Sequence, residues 1–121
     1  MVAYFFDTYA MIELIKTNPS YAVFLEEPVT TTKFNLAEVF YILLSEMGEE
    51  KARTEFAKFK DFEVDVTDEI LIKAMKFRLK NKKKGFSYTD CIGYIFALEN
   101  KLKFLTGDDA FKGLENVEFV K

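Results

Sequence analysis

The spacing of apolar and polar residues predicts short strands that alternate with helices. Residues 2–6 form an apolar run without polar alternation, as expected of a strand buried on both faces, and the run ends at Asp7. Four further strands are expected at residues 29–32, 62–66, 103–106 and 117–120. Helices between successive strands favour a mostly parallel sheet with helices on both faces. The pattern therefore predicts a three-layer α/β fold.

Helix caps and helix breakers refine this outline. The first helix is expected at 8–16, and Asn35 is expected to cap a later helix that ends at Gly48. Ser87 is expected to cap a helix that is apolar on nearly all sides and must therefore be buried. Gly93 would allow that helix to lie close to the sheet.

Size and composition suit one domain over residues 1–121. Half of the 121 residues are hydrophobic, which fits a sheet covered on both faces. No basic start followed by a long apolar stretch indicates a signal peptide, and no apolar segment is long enough to cross a membrane. The single cysteine, Cys91, allows no intramolecular disulfide. We therefore expect a cytoplasmic protein that does not associate with a membrane.

The missing residue types limit the chemistry. The chain has no histidine, which removes the usual general base, the usual zinc ligand and the Ser-His-Asp arrangement. Cys91 lies in an apolar run and is expected to be a buried hydrophobic residue rather than a nucleophile. With a net charge of −3, any binding of nucleic acid must come from a local basic patch.

Four carboxylates are expected at one edge of the sheet. Asp7 and Asp108 each follow a buried strand, and Glu38 and Asp90 each lie in the first turn of the following helix. The carboxyl ends of parallel strands share one edge, where open α/β sheets bind their ligands. If the strands before Asp7 and Asp108 are neighbours, the acids can converge.

Each acid can also be explained as part of a helix cap. Ser87 with Asp90 resembles a capping box, Asn35 with Glu38 does so too, and Asp108 could cap a short helix. Acids in a first turn also interact favourably with the helix dipole. Capping is the better explanation for any single acid, whereas four acids on one edge favour shared metal ligation. The two roles can coexist.

The four acids would form a site made only of oxygen ligands. Converging carboxylates repel one another unless a cation lies among them. A site without histidine or thiolate selects a hard cation such as Mg²⁺ or Mn²⁺, and the matching chemistry is hydrolysis of a phosphodiester. Rival phosphate chemistries lack their motifs, since there is no Walker loop and Tyr9 stands where a dehalogenase-like phosphatase needs a second acid.

Three stretches carry a resemblance to a known family. They are Phe6-Asp7-Thr8, then Asn35-Leu36-Ala37-Glu38-Val39, and then Tyr88-Thr89-Asp90-Cys91-Ile92-Gly93-Tyr94 leading to Phe104-Leu105-Thr106-Gly107-Asp108-Asp109-Ala110-Phe111. In order and spacing they resemble the PIN-domain ribonucleases, a family that includes the VapC-type toxins of toxin–antitoxin pairs. The resemblance spans nearly the whole chain.

The resemblance implies both a topology and a site. It implies a five-stranded sheet of order 3-2-1-4-5 with the strand before Asp7 in its middle. The catalytic, metal-ligating acids are implied to be Asp7, Glu38, Asp90 and Asp108. Supporting roles are implied for Thr8, Thr106 and Asp109, and Asp109 could replace Asp108 as the outer ligand. The family also implies cleavage of single-stranded RNA, a homodimer and an antitoxin protein as partner.

A basic stretch precedes the third acid. It comprises Arg78, Lys80, Lys82, Lys83 and Lys84. As an RNA-binding surface, Arg78, Lys82, Lys83 and Lys84 would hold phosphates and steer the substrate towards the acidic edge. As a purely structural feature, they would be a solvated helix end, where cations suit the helix dipole.

The leading hypothesis is a Mg²⁺- or Mn²⁺-dependent endoribonuclease that acts as the toxin of a toxin–antitoxin pair. One alternative is a catalytically idle PIN domain that binds RNA or protein, and another is a structure-specific DNA nuclease with the same acids. Surplus apolar surface around Phe40, Tyr41 and Phe56 is expected to be hidden in a homodimer.

Overall fold

The protein is described by a computed structural model over residues 2–121, and the described chain alternates strands with helices. The strands are β1 (Tyr4–Phe6), β2 (Thr31–Thr32), β3 (Glu63–Val64), β4 (Lys103–Thr106) and β5 (Val117–Phe119). The helices are α1 (Thr8–Ile15), α2 (Lys33–Met47), α3 (Glu49–Lys60), α4 (Asp68–Lys80) and α5 (Tyr88–Glu99). Short 3-10 helices are formed by Pro19–Phe24, Lys82–Lys84 and Asp109–Phe111.

The strands follow the expected spatial order but do not form one continuous sheet. β1, β4 and β5 pair in parallel in that order, and β2 pairs in parallel with β3. β2 lies beside β1, where the Phe6 amide donates a hydrogen bond of 2.9 Å to the Thr30 carbonyl. The Thr31 hydroxyl also donates to the Phe6 carbonyl, at 3.0 Å. The expected five-stranded sheet of order 3-2-1-4-5 is thus only partly matched: a three-stranded and a two-stranded sheet lie side by side, because β2 is only two residues long and passes directly into α2.

The central strand sends alternate side chains into two separate cores, which produces three layers. Phe5 and Phe104 pack with α4 and α5 on one face. Phe6 and Leu105 pack with α1, α2 and α3 on the other. All four side chains are fully buried. The three-layer α/β fold is confirmed, and the unbroken apolar run before Asp7 is explained by burial on both faces.

The buried helix α5 lies very close to the sheet. A Cβ atom at Gly93 would come within 2.8 Å of Phe5 Cε1 and 3.3 Å of Phe104 Cε1. The expectation that Gly93 permits close approach is confirmed. This contact holds the amino terminus of α5, which carries Asp90, against the strands that precede Asp7 and Asp108.

The start of α2 differs from the expectation. Asn35 is not its cap, because the helix already begins at Lys33 and Thr32 is the N-cap, whose hydroxyl accepts from the Asn35 amide at 3.2 Å. The β-branched run at 29–32 indicated only a strand and concealed this capping role.

Within residues 2–121, none of the helices is both long and apolar enough to cross a bilayer.

Candidate functional site

An acidic cavity of about 410 Å³ opens at the carboxyl ends of β1 and β4. All four sequence-predicted acids line it, namely Asp7, Glu38, Asp90 and Asp108. The remaining lining residues are Thr8, Tyr9, Ile12, Glu13, Lys16, Ile42, Glu46 and Ser87. We name this feature the acidic cavity. The topology therefore brings the four acids to one edge of the sheet, as parallel strands require.

Asp7 is the most deeply placed of the four. It is the N-cap of α1, its Oδ1 accepts a hydrogen bond of 2.8 Å from the Ala10 amide, and only 4% of the residue is exposed. Burial raises the pKa of Asp7 to about 8, although the Thr106 hydroxyl and the Ala10 amide lower it. The nearby carboxylates of Asp90 and Asp108 make smaller upward contributions to the same pKa. A neighbouring cation would favour the ionised form of this carboxyl.

Glu38 is held by a chain of hydrogen bonds that begins at the N-cap of α2. The Thr32 hydroxyl donates to Asn35 Oδ1 at 2.7 Å, and Asn35 Nδ2 donates to the Thr8 hydroxyl at 3.2 Å. The Thr8 hydroxyl in turn donates to Glu38 Oε1 at 2.6 Å. Asn35 and Thr32 are buried, so these hydrogen bonds hold the carboxylate of Glu38 in a fixed orientation.

Asp90 closes the capping box of α5. Its Oδ2 accepts from the Ser87 amide at 2.9 Å, and its own amide donates to the Ser87 hydroxyl at 3.0 Å. Burial raises the pKa of Asp90, the bonds from Ser87 lower it, and the charges of Asp108 and Glu38 raise it again. The predicted capping box of Ser87 with Asp90 is confirmed, and the cap places the acid in the cavity wall.

Asp108 and Asp109 have different environments. Asp108 lines the cavity, and its Oδ1 caps the short helix Asp109–Phe111 through the Ala110 amide at 3.0 Å. The buried Thr106 hydroxyl accepts from the Asp108 amide at 3.0 Å and so orients the turn. Asp109 is largely exposed, pairs with Lys121 at 3.2 Å, and does not line the acidic cavity.

The acids of this site therefore take part in helix capping and also line the same cavity. Asp7 and Asp108 each accept a hydrogen bond from the start of the helix that they cap, and Asp90 accepts one from the amide of Ser87, the N-cap of α5. Within the described residues, no group of three or more acidic or cysteine side chains is arranged to hold an ion directly. The donor set nevertheless fits a hard cation, because Mg²⁺ keeps several of its waters and usually takes only one or two carboxylates directly.

The basic stretch lies outside the acidic cavity. Lys82, Lys83 and Lys84 form an exposed 3-10 turn after α4. Arg78 is partly buried, and its Nε donates to the Phe86 carbonyl at 3.0 Å. Its guanidinium also lies 4.2 Å above the ring of Tyr88, the first residue of α5. Arg78 thus links the last turn of α4, which precedes the basic turn, to the start of the helix that carries Asp90.

The predicted apolar surface lies on α2 and α3. Phe40 and Phe56 meet edge to face at 5.7 Å and line a groove with Ala37. Tyr41 is 72% exposed and lines an adjoining groove that includes Glu38 and Thr89. An apolar surface therefore borders the acidic cavity.

Sequence reasoning missed several residues of the site. Asn35 was expected to be a helix cap, and its role as a hydrogen-bond donor to Thr8 was missed. The signal that could have revealed this role is the spacing of Thr32 and Asn35, because an N-cap threonine commonly bonds to the residue three positions later. Lys16 and Glu46 also line the cavity and form an ion pair of 3.3 Å. They lie 30 residues apart, and no local pattern reveals such a pairing.

Solved structures with the same fold include several toxin–antitoxin proteins. The VapC20 toxin of Mycobacterium tuberculosis, described as cleaving the sarcin–ricin loop, is 17% identical over 95% of this chain and 98% of that chain, with a TM-score of 0.77. A chain of Rickettsia felis VapBC2, bound to a promoter DNA fragment, is 18% identical over 99% and 100%, with a TM-score of 0.76. A chain of a Klebsiella pneumoniae toxin–antitoxin complex is 19% identical over 96% of both chains, with a TM-score of 0.74.

The family itself is shown by the sequence. No curated protein matches this chain significantly. The sequence profile of the PIN domain matches residues 4–117, which is nearly the whole chain and includes all four acids of the cavity. The family predicted from the three stretches is therefore confirmed, and this chain belongs to the PIN-domain family.

Proposed function

We propose that this protein is a Mg²⁺- or Mn²⁺-dependent endoribonuclease that hydrolyses single-stranded RNA, and that it acts as the toxin of a toxin–antitoxin pair. The observation that carries the proposal is the acidic cavity, in which Asp7, Glu38, Asp90 and Asp108 meet at the carboxyl edge of a PIN fold. The similarity in fold to VapC20 and to chains of toxin–antitoxin complexes supports the biological role.

The cation would be held mainly by Asp7, with Glu38, Asp90 and Asp108 contributing directly or through water. When bound, Mg²⁺ or Mn²⁺ supplies an activated water at neutral pH and neutralises charge on the phosphoryl oxygens. No histidine is then needed as a general base. Burial raises the pKa of Asp7 to about 8, so a bound cation would promote ionisation of this carboxyl.

The other side chains position these acids. Thr8 and Asn35 orient Glu38, and Thr106 orients the turn that carries Asp108. Thr8 and Thr106 thus support the site through their hydrogen bonds to Glu38 and to the Asp108 amide. Asp109 faces Lys121 outside the cavity, so we propose Asp108 rather than Asp109 as the outer ligand.

RNA phosphates would contact the basic turn of Lys82, Lys83 and Lys84. The proposal rests on the exposure of this turn and on Arg78, which contacts Tyr88 at the start of α5, the helix that carries Asp90. The turn supplies the local positive charge that a chain with a net charge of −3 needs in order to attract RNA.

We also propose two protein partners, a second copy of this chain and an antitoxin. The exposed Tyr41 and the groove of Phe40 and Phe56 provide an apolar surface for the homodimer. The antitoxin is proposed from the toxin–antitoxin complexes that share the fold.

The decisive experiment compares nucleic-acid cleavage by the wild-type protein and by an Asp7→Asn variant. With Mg²⁺ or Mn²⁺, the wild-type protein should cut single-stranded RNA internally and leave single-stranded DNA of the same sequence intact. EDTA and Asp7→Asn should each abolish cleavage. Undiminished cleavage in EDTA, equal activity of Asp7→Asn, or preferential cleavage of the DNA would each reject the proposal.

A further inference from the structure

Lys16 is the one cationic side chain among the residues that line the acidic cavity in the described chain. It is the C-cap of α1, the helix whose N-cap is Asp7. Its ammonium lies 3.3 Å from Glu46 Oε1 on α2, and Glu46 lines the same cavity. The cavity therefore has a single positive group, located at the far end of the helix that begins with its most buried acid.

The ion pair of Lys16 with Glu46 is easily opened. The side chains are 42% and 49% exposed, and ion pairs with such exposure contribute little to stability. A phosphate that enters the cavity can therefore replace Glu46 as the partner of Lys16 at little cost. The exchange leaves the carboxylate of Glu46 in water, where it is already half exposed.

The length of α1 decides which phosphate Lys16 could contact. Lys16 lies nine positions after Asp7, which corresponds to about 13 Å along a helix axis at roughly 1.5 Å per residue. At that separation, the ammonium of Lys16 is better placed for a neighbouring phosphate than for the scissile phosphate beside Asp7. It is placed instead for a phosphate further along the same strand.

We propose that Lys16 is a positioning residue that binds a flanking phosphate of the RNA, and that Glu46 holds Lys16 when no RNA is bound. This inference rests on the proposed ribonuclease function. The pair sets the path of the strand across the acidic cavity, because it provides attraction at one end of a surface that otherwise repels phosphate. The acids then receive a strand that is already oriented.

The test measures binding of a mixed-sequence single-stranded RNA by fluorescence anisotropy in EDTA, where cleavage does not interfere. Lys16→Ala should weaken binding roughly two- to fivefold, the range for an exposed charge pair. It should also reduce the slope of log affinity against log salt concentration by about 0.7, the value for one phosphate contact on a single strand. Lys16→Arg should restore both.

A matched control is available on the other side of the sheet. Lys73 of α4 pairs with Glu99 of α5 at 2.6 Å, with side-chain exposures of 44% and 43%, and neither residue lines the acidic cavity. Lys73→Ala therefore removes a similar ion pair between two helices. It should change neither the affinity nor the salt slope.

Glu46→Gln separates phosphate binding from a structural role. If the pair only links α1 to α2, Glu46→Gln and Lys16→Ala break the same link and should weaken RNA binding alike. If Lys16 binds phosphate, Glu46→Gln releases the ammonium and should leave binding equal to or tighter than that of the wild-type protein. Equal weakening by the two variants would overturn the inference, and so would a Lys16→Ala variant that behaves like Lys73→Ala.

Failure of this inference can be distinguished from failure of the proposed function. A wild-type protein that cuts RNA with Mn²⁺ while Lys16→Ala binds RNA normally would reject only the role of Lys16. A wild-type protein that neither binds nor cuts RNA would reject both. Should Lys16→Ala fail to fold by circular dichroism, the sign of the effect of Glu46→Gln still decides between the two roles.

Discussion

The Thr8 hydroxyl donates a hydrogen bond of 2.6 Å to Glu38 Oε1, and it is the contact through which α1 orients an acid of α2. The same hydroxyl accepts a hydrogen bond from Asn35 Nδ2, and Asn35 Oδ1 accepts one from the Thr32 hydroxyl. Thr8 follows Asp7 directly, so one dipeptide provides both an acid of the cavity and the support for a second acid. Such supporting bonds commonly control the affinity of a metal site.

Replacing Thr8 by Val should therefore weaken the binding of Mn²⁺ to the cavity. Val keeps the branched shape but removes the donor, so Glu38 loses its orientation and Asn35 Nδ2 loses its acceptor. We expect a loss of about 10- to 100-fold in affinity, measured by titration calorimetry. Thr54→Val, at an exposed position of α3 where the hydroxyl bonds only to the Glu50 carbonyl, is the control. Identical Mn²⁺ affinities for the two variants would exclude a supporting role for Thr8.

Asp7→Asn should make folding stability less sensitive to pH when no metal is present. The pKa of Asp7 in the folded protein is about 8, against an ordinary value of 3.8. A carboxyl with a raised folded-state pKa destabilises the fold progressively as the pH rises from about 4 to about 8, and the penalty is then constant. Asn caps a helix about as well as Asp, so the variant loses only the penalty.

The stability advantage of Asp7→Asn in EDTA should thus grow by up to about 1.4 kcal/mol per pH unit in that window. Urea denaturation at pH 5, 6, 7 and 8 measures it, and Asp68→Asn, at an exposed first-turn position of α4, controls for the loss of one negative charge. Adding Mn²⁺ should raise the stability of the wild-type protein but have little effect on Asp7→Asn. A parallel pH dependence of wild type and Asp7→Asn would show that the carboxyl of Asp7 is not penalised.

Replacing Lys82, Lys83 and Lys84 together by Ala should reduce the salt dependence of RNA binding. Three lost phosphate contacts would lower the slope of log affinity against log salt concentration by about 2 on a single strand. Folding should change little, since all three lysines are exposed. A triple replacement by Arg keeps the charge and should keep the slope. If the Ala variant retains the wild-type slope, the turn is only a solvated helix end.

Tyr41→Glu should shift the protein from dimer to monomer. The side chain is 72% exposed beside the groove of Phe40 and Phe56, and tyrosine is enriched among the interface residues whose truncation costs about 2 kcal/mol or more. Sedimentation at high micromolar concentration measures the change. Ile72→Glu, at a 50% exposed apolar position on α4, should leave the assembly unaltered. A wild-type protein that sediments as a monomer would refute the proposed dimer.

The sequence predicted the features that depend on local patterns. The apolar run before Asp7 indicated a central strand, and the order of strands and helices placed four acids at one edge. The N-cap of α2 was assigned wrongly because Thr32 and Asn35 are both good caps and the preceding β-branched run favoured a strand. The pair of Lys16 with Glu46 and the outward direction of Asp109 depend on packing between distant elements, which no local pattern encodes.

The break between β1 and β2 divides the strands of the acidic edge into two hydrogen-bonded units, although α1, α2 and α3 share one core with β1 and β4. Glu38 belongs to the unit of β2, β3, α2 and α3, whereas Asp7, Asp90 and Asp108 belong to the unit built on β1, β4 and α5. One peptide hydrogen bond, from Phe6 to Thr30, joins the strands of these units in the described chain. Local opening follows the weakest boundary in a structure, so the Phe6 amide should lose hydrogen-exchange protection before the amides between β1 and β4. A protein that binds α2 and α3 would therefore contact the elements that carry Glu38 and none of those that carry Asp7, Asp90 and Asp108.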